Sequence, residues 1–115
     1  MSIEEKIVAA LDPLVGGRCY AEVLPQSLAT WPAIRYTLPS TTPENTICGS
    51  SDEDAYRVQI DIYGVDFDVV TALRKPVFAA IEAAFDTAER VIDVSDFEAD
   101  GRLYRRMIEY TVRSE

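Results

Sequence analysis

The sequence predicts an α+β fold, a two-layer sandwich in which two helices cover one face of an antiparallel or mixed four-stranded sheet. Two segments carry apolar residues at spacings of three and four, which is typical of helices that bury one side. Each is followed by segments that alternate apolar and polar residues, as half-buried strands do. The chain of 115 residues, 48% hydrophobic and 27% charged, has the size and composition of one globular domain. We therefore expect a single domain over residues 1–115 with the element order αββαββ.

The first helix is predicted to begin at a capping box. Ser2 and Glu5 have the spacing at which the serine hydroxyl accepts from the backbone N–H of Glu5 and the glutamate carboxylate reaches back. The apolar stripe that follows consists of Ile3, Ile7, Ala10, Leu11 and Leu14. Pro13 and Gly16 are expected to end this helix, because proline lacks a backbone donor and glycine readily adopts a left-handed conformation.

The strands that come next differ in how clearly the sequence marks them. Residues 18–23 are predicted only as a short extended segment. The first clear strand covers 33–38 and places on one face Ile34, Tyr36 and Leu38. The most regular alternation lies in 56–63 and directs toward the core Tyr56, Val58, Ile60 and Ile62. If these two strands pair in a suitable register, Arg35 and Asp61 form an ion pair.

A long acidic loop or hairpin arm is predicted between these strands, at about 39–55. Its composition, rich in Pro, Ser, Thr, Asn and Asp, is typical of turns and loops. No base interrupts its four acids, which are Glu44, Asp52, Glu53 and Asp54. The more common interpretation of such a segment is a solvated surface loop. The sharper hypothesis is an arm that meets a neighbouring subunit or lines a channel.

Four aromatic residues are candidates for anchors in an assembly interface, because large aromatic side chains dominate the energetics of protein contacts. They are Tyr20, Trp31, Tyr36 and Tyr63. Packing inside the chain explains each of them equally well.

The second helix is predicted from Asp66, a suitable N-cap, to about Phe85. Pro76 lies inside its pattern and predicts a kink or a split into two pieces. Two further strands, 91–97 and 103–113, are joined by a turn at Asp100-Gly101. Three arginines near the start of the last strand are expected to pair across this hairpin with Asp93, Asp96 or Glu98; they are Arg102, Arg105 and Arg106.

The charge balance argues against several classes of function. With 20 acids against 11 bases the formal charge is −9, and such a surface repels phosphate backbones and anionic lipid headgroups. No apolar run approaches the ~20 residues that a membrane-spanning helix needs. The start of the chain is acidic and lacks the basic region of a signal peptide, so we expect the protein to stay in the cytoplasm where it is made.

No catalytic residues, cofactor or metal ligands are predicted. The chain has no histidine, which removes the usual proton shuttle and the commonest transition-metal ligand. Acids at 96, 98 and 100 resemble half of a calcium loop, but Met107 stands where its bidentate glutamate should be. Cys19 and Cys48 are expected to be reduced, and the sequence leaves open whether they approach each other. Carboxylate pairs also stay open, because so many acids offer many combinations.

Several segments resemble the small tail-completion or tail-terminator (head-tail joining) proteins of long-tailed phages and prophages. They are Ile3–Ile7, Leu14–Tyr20, Pro32–Tyr36 and Arg57–Tyr63, and the likeness continues through the second helix. It departs at Pro76 and in the length of the acidic loop. The resemblance implies a virion structural protein that forms a ring, typically of six subunits. Such a ring caps the tail tube, ends its polymerisation and helps to join tail to head.

The same resemblance implies partners and a location. The partners are copies of the chain itself, the tail tube protein and the head-tail connector protein, while DNA passes through without specific binding and no membrane is involved. No enzyme activity or cofactor comes with it, and the implied location is the virion tail after assembly in the host bacterial cytoplasm. An acidic lumen fits DNA passage, since like charges prevent tight contacts.

Two alternatives belong to other classes of protein. One is a small enzyme or ligand-binding domain that uses a carboxylate pair. The other is an adaptor whose acidic loop docks a basic partner, which predicts binding that weakens with salt.

Overall fold

The computed structural model describes residues 2–43, 54–98 and 102–113. In these ranges the elements follow in the order α1 (Ile3–Leu11), a 3-10 helix (Asp12–Val15), β1 (Cys19–Ala21), β2 (Ala33–Pro43), β3 (Asp54–Gly64), α2 (Phe67–Ala72), α3 (Arg74–Ala84), β4 (Thr87–Glu98) and β5 (Leu103–Arg113). The strands form one five-stranded sheet in the order β1-β2-β3-β5-β4. The fold is therefore α+β, with a mixed sheet.

The predicted count of four strands is wrong, because β1 joins the sheet as a fifth strand. It lies parallel to β2 at one edge, with Cys19 opposite Ile34. Three residues are too few to show an alternating pattern, so the sequence marks this segment only as extended. The other strands form two antiparallel hairpins, β2-β3 and β4-β5, which meet where β3 pairs with β5. β4 begins at Thr87, before the range expected for it.

The capping box at the start of α1 is confirmed. The backbone N–H of Glu5 donates to the Ser2 hydroxyl at 3.1 Å, and the backbone N–H of Ser2 donates to the Glu5 carboxylate at 2.9 Å. The predicted end is also present, since α1 passes into the 3-10 helix with Pro13 in its first turn and closes at Gly16 with a φ of 59°.

The second predicted helix is split into α2 and α3. α2 ends at Ala72 and α3 begins at Arg74, so Pro76 lies in the first turn of α3. Backbone N–H groups of a first helical turn have no partner within the helix, and proline costs no hydrogen bond there. Asp66 caps α2, as expected, by accepting from the backbone N–H of Asp68 at 2.9 Å.

One apolar core lies between the helices and a single face of the sheet. The sheet contributes Ile34, Tyr36, Val58, Ile60, Ile62, Ile108, Tyr110 and Val112. The helices contribute Ile7, Leu11, Val70, Val77 and Ile81. Each strand therefore turns alternate residues toward the helices, and the opposite face of the sheet carries no described helix. No helix in the described ranges combines the length and the apolar composition needed to cross a membrane.

Candidate assembly surfaces

The sheet face opposite the helices is organised around the buried carboxylate of Asp61. This side chain is 0% exposed and lies between two arginines, with Arg35 Nη2 2.8 Å from Oδ2 and Arg105 Nε 2.8 Å from Oδ1. Gln59 donates to Oδ2 at 3.1 Å. The predicted pair of Arg35 and Asp61 is confirmed, because these residues stand directly opposite each other in β2 and β3.

The predicted partner of Arg105 is wrong. Arg105 stands opposite Tyr63 of β3 on one side and Asp96 of β4 on the other, and its side chain pairs with the buried Asp61 of β3. Burial would lower the pKa of the Arg105 guanidinium, but its hydrogen bond to Asp61 raises that pKa on balance. Arg106, on the other face, does pair across the hairpin as expected, with Asp93 at 2.6 Å.

Tyr63 completes the cluster around Asp61. Its ring is 4% exposed, and the guanidinium carbons of Arg35 and Arg105 lie 5.7 and 5.9 Å from the ring centroid. Burial, followed by the nearby charge of Asp61, raises the pKa of the Tyr63 hydroxyl. The carboxylate of Asp61 therefore has charged or polar partners on both of its oxygens.

On the helix side of the sheet, two sets of polar contacts connect α3 with the last two strands. Asp93 in β4 accepts from Arg106 and also from Arg74 of α3 at 3.0 Å. Tyr110 donates from its hydroxyl to Glu82 of α3 at 2.5 Å. Burial, followed by this bond to a carboxylate, raises the pKa of the Tyr110 hydroxyl.

Exposed apolar side chains gather at one end of the sheet, where β3 and β4 end and β5 begins. We call this surface the end patch; it consists of the exposed Val65, Phe67, Val69 and Phe97, together with the half-buried Tyr104. The first four are 63%, 47%, 42% and 46% exposed, respectively. The Tyr104 ring joins the two phenylalanines, with centroid distances of 5.6 Å to Phe67 and 4.9 Å to Phe97.

A cleft of about 170 Å³ adjoins the end patch, lined by Trp31, Pro32, Gly64, Val65, Asp66 and Val69. Its floor depends on Gly64, because a Cβ at that position would lie 2.7 Å from Val70 Cγ2. The close approach of α2 to the end of β3 therefore requires glycine.

The sheet has two unlike edges. The outer edge of β4 pairs with no described strand over its whole length. An irregularity in register between Arg90 and Ile92 interrupts this strand, which is one way in which edge strands limit uncontrolled pairing. At the other edge β1 covers only residues 34–36 of β2.

Of the acids predicted for the arm, only Asp54 lies within the described residues. Glu44, Asp52 and Glu53 lie outside the described residues, while Asp54 is the first residue of β3, opposite Pro43. β2 extends to Pro43, so the strands include the backbone of residues 39–43 and 54–55.

The four aromatic candidates occupy different surroundings, and the first of them, Tyr20, is half-buried in β1. Tyr36 is 6% exposed and packs in the core, and Tyr63 lies in the Asp61 cluster. Trp31 lines the cleft and is half-buried. Cys19 is a free thiol, and Cys48 lies outside the described residues.

The end patch was missed by reasoning from the sequence, although a signal for it exists. The apolar positions predicted to face the core from the second helix do not include Val65, Phe67 or Val69. Both phenylalanines of the patch have an acid on either side in the sequence. Among the described residues no group of three or more potential metal ligands converges.

Comparisons with known proteins agree on the kind of molecule. Residues 6–115 match the family described as "Tail completion protein gp17". The fold is similar to that of a chain in the structure named "Virion of native gene transfer agent (GTA) particle", with a TM-score of 0.58 and 10% sequence identity over 93% of this chain and 82% of that one. No curated protein matches the sequence.

Proposed function

The chain belongs to the tail completion protein gp17 family, and from this premise we propose that it caps the phage tail tube, ends its polymerisation and helps to join tail to head. Members of this family are structural proteins of the virion, so the chain is a structural component of the phage tail and not an enzyme. It acts there in association with other tail or head components.

Self-assembly into a ring, of six subunits in our proposal, is supported by the unlike edges of the sheet. A closed ring needs head-to-tail contacts, in which two different surfaces of one chain meet. The free outer edge of β4 and the part of β2 beyond Tyr36 lie on opposite sides of the same sheet and offer two such surfaces. Two observations carry the proposal: the family match, and a sheet whose edges are not fully covered by any strand among the described residues.

We place the acidic arm, about 39–55, at a contact between copies or at the lumen, with the tail tube protein and the head-tail connector protein above and below the ring. The arm's acids and the overall charge of −9 support passage of DNA without specific binding, because phosphates and carboxylates repel each other. Trp31, half-buried beside the cleft, is our candidate for an aromatic anchor.

Deleting the gene in a phage that encodes the chain tests the capping role. We expect tails of irregular, excessive length that fail to join heads, measured as a length distribution by electron microscopy. Expression of the intact chain from a plasmid is the control and should restore both properties. Tails of normal length that join heads without the chain would contradict the proposal.

Neutralising the arm separates its two possible locations. The variant Glu44→Gln/Asp52→Asn/Glu53→Gln/Asp54→Asn loses ring mass in light scattering if the arm lies between copies. If the arm faces the lumen, rings form normally and DNA passage slows. Glu4→Gln removes an exposed acid of α1, outside the arm and outside the sheet, and is the control.

The alternative of a carboxylate-using enzyme is set aside by the family. Asp61 and Glu109, the buried acids of the described residues, are both ion-paired, Asp61 with Arg35 and Arg105, Glu109 with Arg57 at 2.5 Å.

A further inference from the structure

We propose that the end patch binds a different virion protein, one that presents an apolar segment flanked by lysine or arginine. This inference rests on the proposed function only in taking the partner to be a tail or head component. It adds a specific surface and the chemistry of the partner that the surface accepts.

The first step concerns the exposed apolar area. Isolated apolar side chains are common on protein surfaces, whereas a contiguous group of large ones marks an interaction site. In the end patch Phe67 and Phe97 are about half exposed and both contact Tyr104, so they form one aromatic surface. The adjoining cleft, with Trp31 on its wall, offers a recess for an inserted side chain.

The second step concerns the charges around the aromatic surface. Each exposed phenylalanine stands between two acids, in Asp66-Phe67-Asp68 and in Asp96-Phe97-Glu98. The three aspartates are exposed. Of the arginines within two residues of Tyr104, Arg102 is exposed, while Arg105 pairs with Asp61 and Arg106 with Asp93. An apolar centre with a charged rim is the usual anatomy of a protein interface, and this rim is predominantly negative.

A second copy of the chain fits this surface poorly. A two-fold contact through the end patch would set its acids against the same acids of the other copy. A head-to-tail contact would need accessible bases elsewhere on the chain, and six of its 11 bases already pair with acids of their own chain; they are Arg35, Arg57, Arg74, Arg90, Arg105 and Arg106. Because 20 acids outnumber the bases, a second copy meets the negative rim mostly with further acids, which favours a basic partner on another protein.

Binding to virion parts that lack the chain tests this inference. The probes are purified tails and purified DNA-filled heads from a deletion phage, mixed with the wild-type protein and with Phe67→Ser/Phe97→Ser. We expect the double variant to lose at least about tenfold in apparent affinity for one of the two probes in a pelleting assay. Its ring mass in light scattering should equal that of the wild type. Val23→Ser removes an apolar side chain that is 72% exposed outside the patch and should bind normally.

Charge reversal provides a second variant that leaves the apolar residues in place. Asp68→Lys/Asp96→Lys should weaken binding to the same probe, and added salt should weaken wild-type binding, while Glu4→Lys in the first turn of α1 should leave it unchanged. Equal binding by the aromatic double variant and the wild type would overturn the inference while leaving the proposed function intact. Loss of ring mass by that variant would also overturn it, because the patch would then join copies of the chain. If the wild type binds neither probe, the proposed function itself fails.

Discussion

Asp61 shows how a single residue organises the open face of the sheet. Removing water from a carboxylate is costly unless opposite charges and hydrogen-bond donors surround it. Here two arginines and Gln59 supply them, and both arginines keep part of their side chains in solvent, with exposures of 26% and 21%.

Asp61→Asn is expected to lower the free energy of unfolding by about 2–3 kcal/mol. The amide keeps the shape but loses the charge, which leaves two guanidiniums together without a counter-ion; their partial exposure keeps the loss below that of a fully buried pair. Urea unfolding followed by circular dichroism measures the change. Glu89→Gln, an exposed acid on β4, is the control and should stay within about 0.5 kcal/mol. An equally small effect of Asp61→Asn would show that the cluster adds little stability.

Alkaline pH is expected to destabilise the chain through groups that the fold keeps protonated. Burial, followed by the charge of Asp12, raises the pKa of the Cys19 thiol to about 12 from 9.0. Burial likewise raises the pKa values of Tyr36, Tyr63 and Tyr110 above 10.0. The unfolded chain releases these protons first, so their contribution is complete below about pH 9 and is lost as the pH rises toward the folded values.

Urea unfolding at about pH 8 and at about pH 10.5 checks this expectation, and the free energy of unfolding should fall between them. In Cys19→Ala the fall between about pH 9 and about pH 10 should be smaller, since the thiol no longer contributes. Stability that is constant over this range would contradict the assigned directions.

At the residue scale the sequence predicted ion pairs between strands that follow each other in the chain. It missed the ion pair between strands that are neighbours in the sheet but not consecutive in the chain. Arg35 with Asp61 and Arg106 with Asp93 follow from adjacent strands. The bond from Arg105 to Asp61 requires knowing that β5, and not β4, lies beside β3. Strand order depends on tertiary packing, and a local pattern does not encode it.

Elements of this fold are bounded by short polar and glycine signals that can be tested one at a time. The capping box at Ser2 acts on α1 through a hydrogen bond, whereas the close contact at Gly64 acts on α2 through steric packing.

Ser2→Ala is expected to cost about 1 kcal/mol of stability, because the backbone N–H of Glu5 loses its acceptor. Thermal unfolding monitored by circular dichroism gives the change. Ser27→Ala, an exposed serine of the loop before β2, is the control. If both substitutions have the same effect, the capping box does not stabilise α1.

Gly64→Ala is expected to cost about 1–3 kcal/mol, since the new methyl group would collide with Val70. A double-mutant cycle with Val70→Ala gives the cause. The smaller residue removes the collision, so the double variant should be more stable than the sum of the single effects predicts. If the two stability changes add strictly, the cost of Gly64→Ala does not come from a collision with Val70.

The element scale is where the sequence was most informative. Long amphipathic segments predicted α1, the split helix and the two hairpins, because their patterns repeat over several turns or alternations. β1 was not resolved as a strand since it has three residues and draws its stability from pairing with β2. The end patch was missed because a search for core stripes passes over apolar residues that lie outside them.

For the whole molecule the net charge of −9 sets the conditions under which copies associate. Like-charged copies repel over roughly 10 Å at 0.1 M salt, and added salt screens this repulsion. We therefore expect the ring fraction of the isolated protein to rise between about 20 mM and about 300 mM salt, measured by light scattering after gel filtration. An adaptor that docks basic partners through its acids shows the opposite trend. Self-association that weakens with salt would contradict repulsion as the limiting term.

The pairing of β3 with β5 also has a consequence for the time course of synthesis. β3 is the central strand, yet the partner on one of its sides is separated from it in sequence by α2, α3 and β4. Sheets built on such distant contacts fold slowly, because the connecting chain must be closed before the contact forms. The nascent chain therefore has no complete core until β5 has left the ribosome. Until then the apolar faces of the helices synthesised earlier remain exposed. Truncated translation products should accordingly stay unfolded and be degraded, so that copies with an incomplete sheet do not enter the tail.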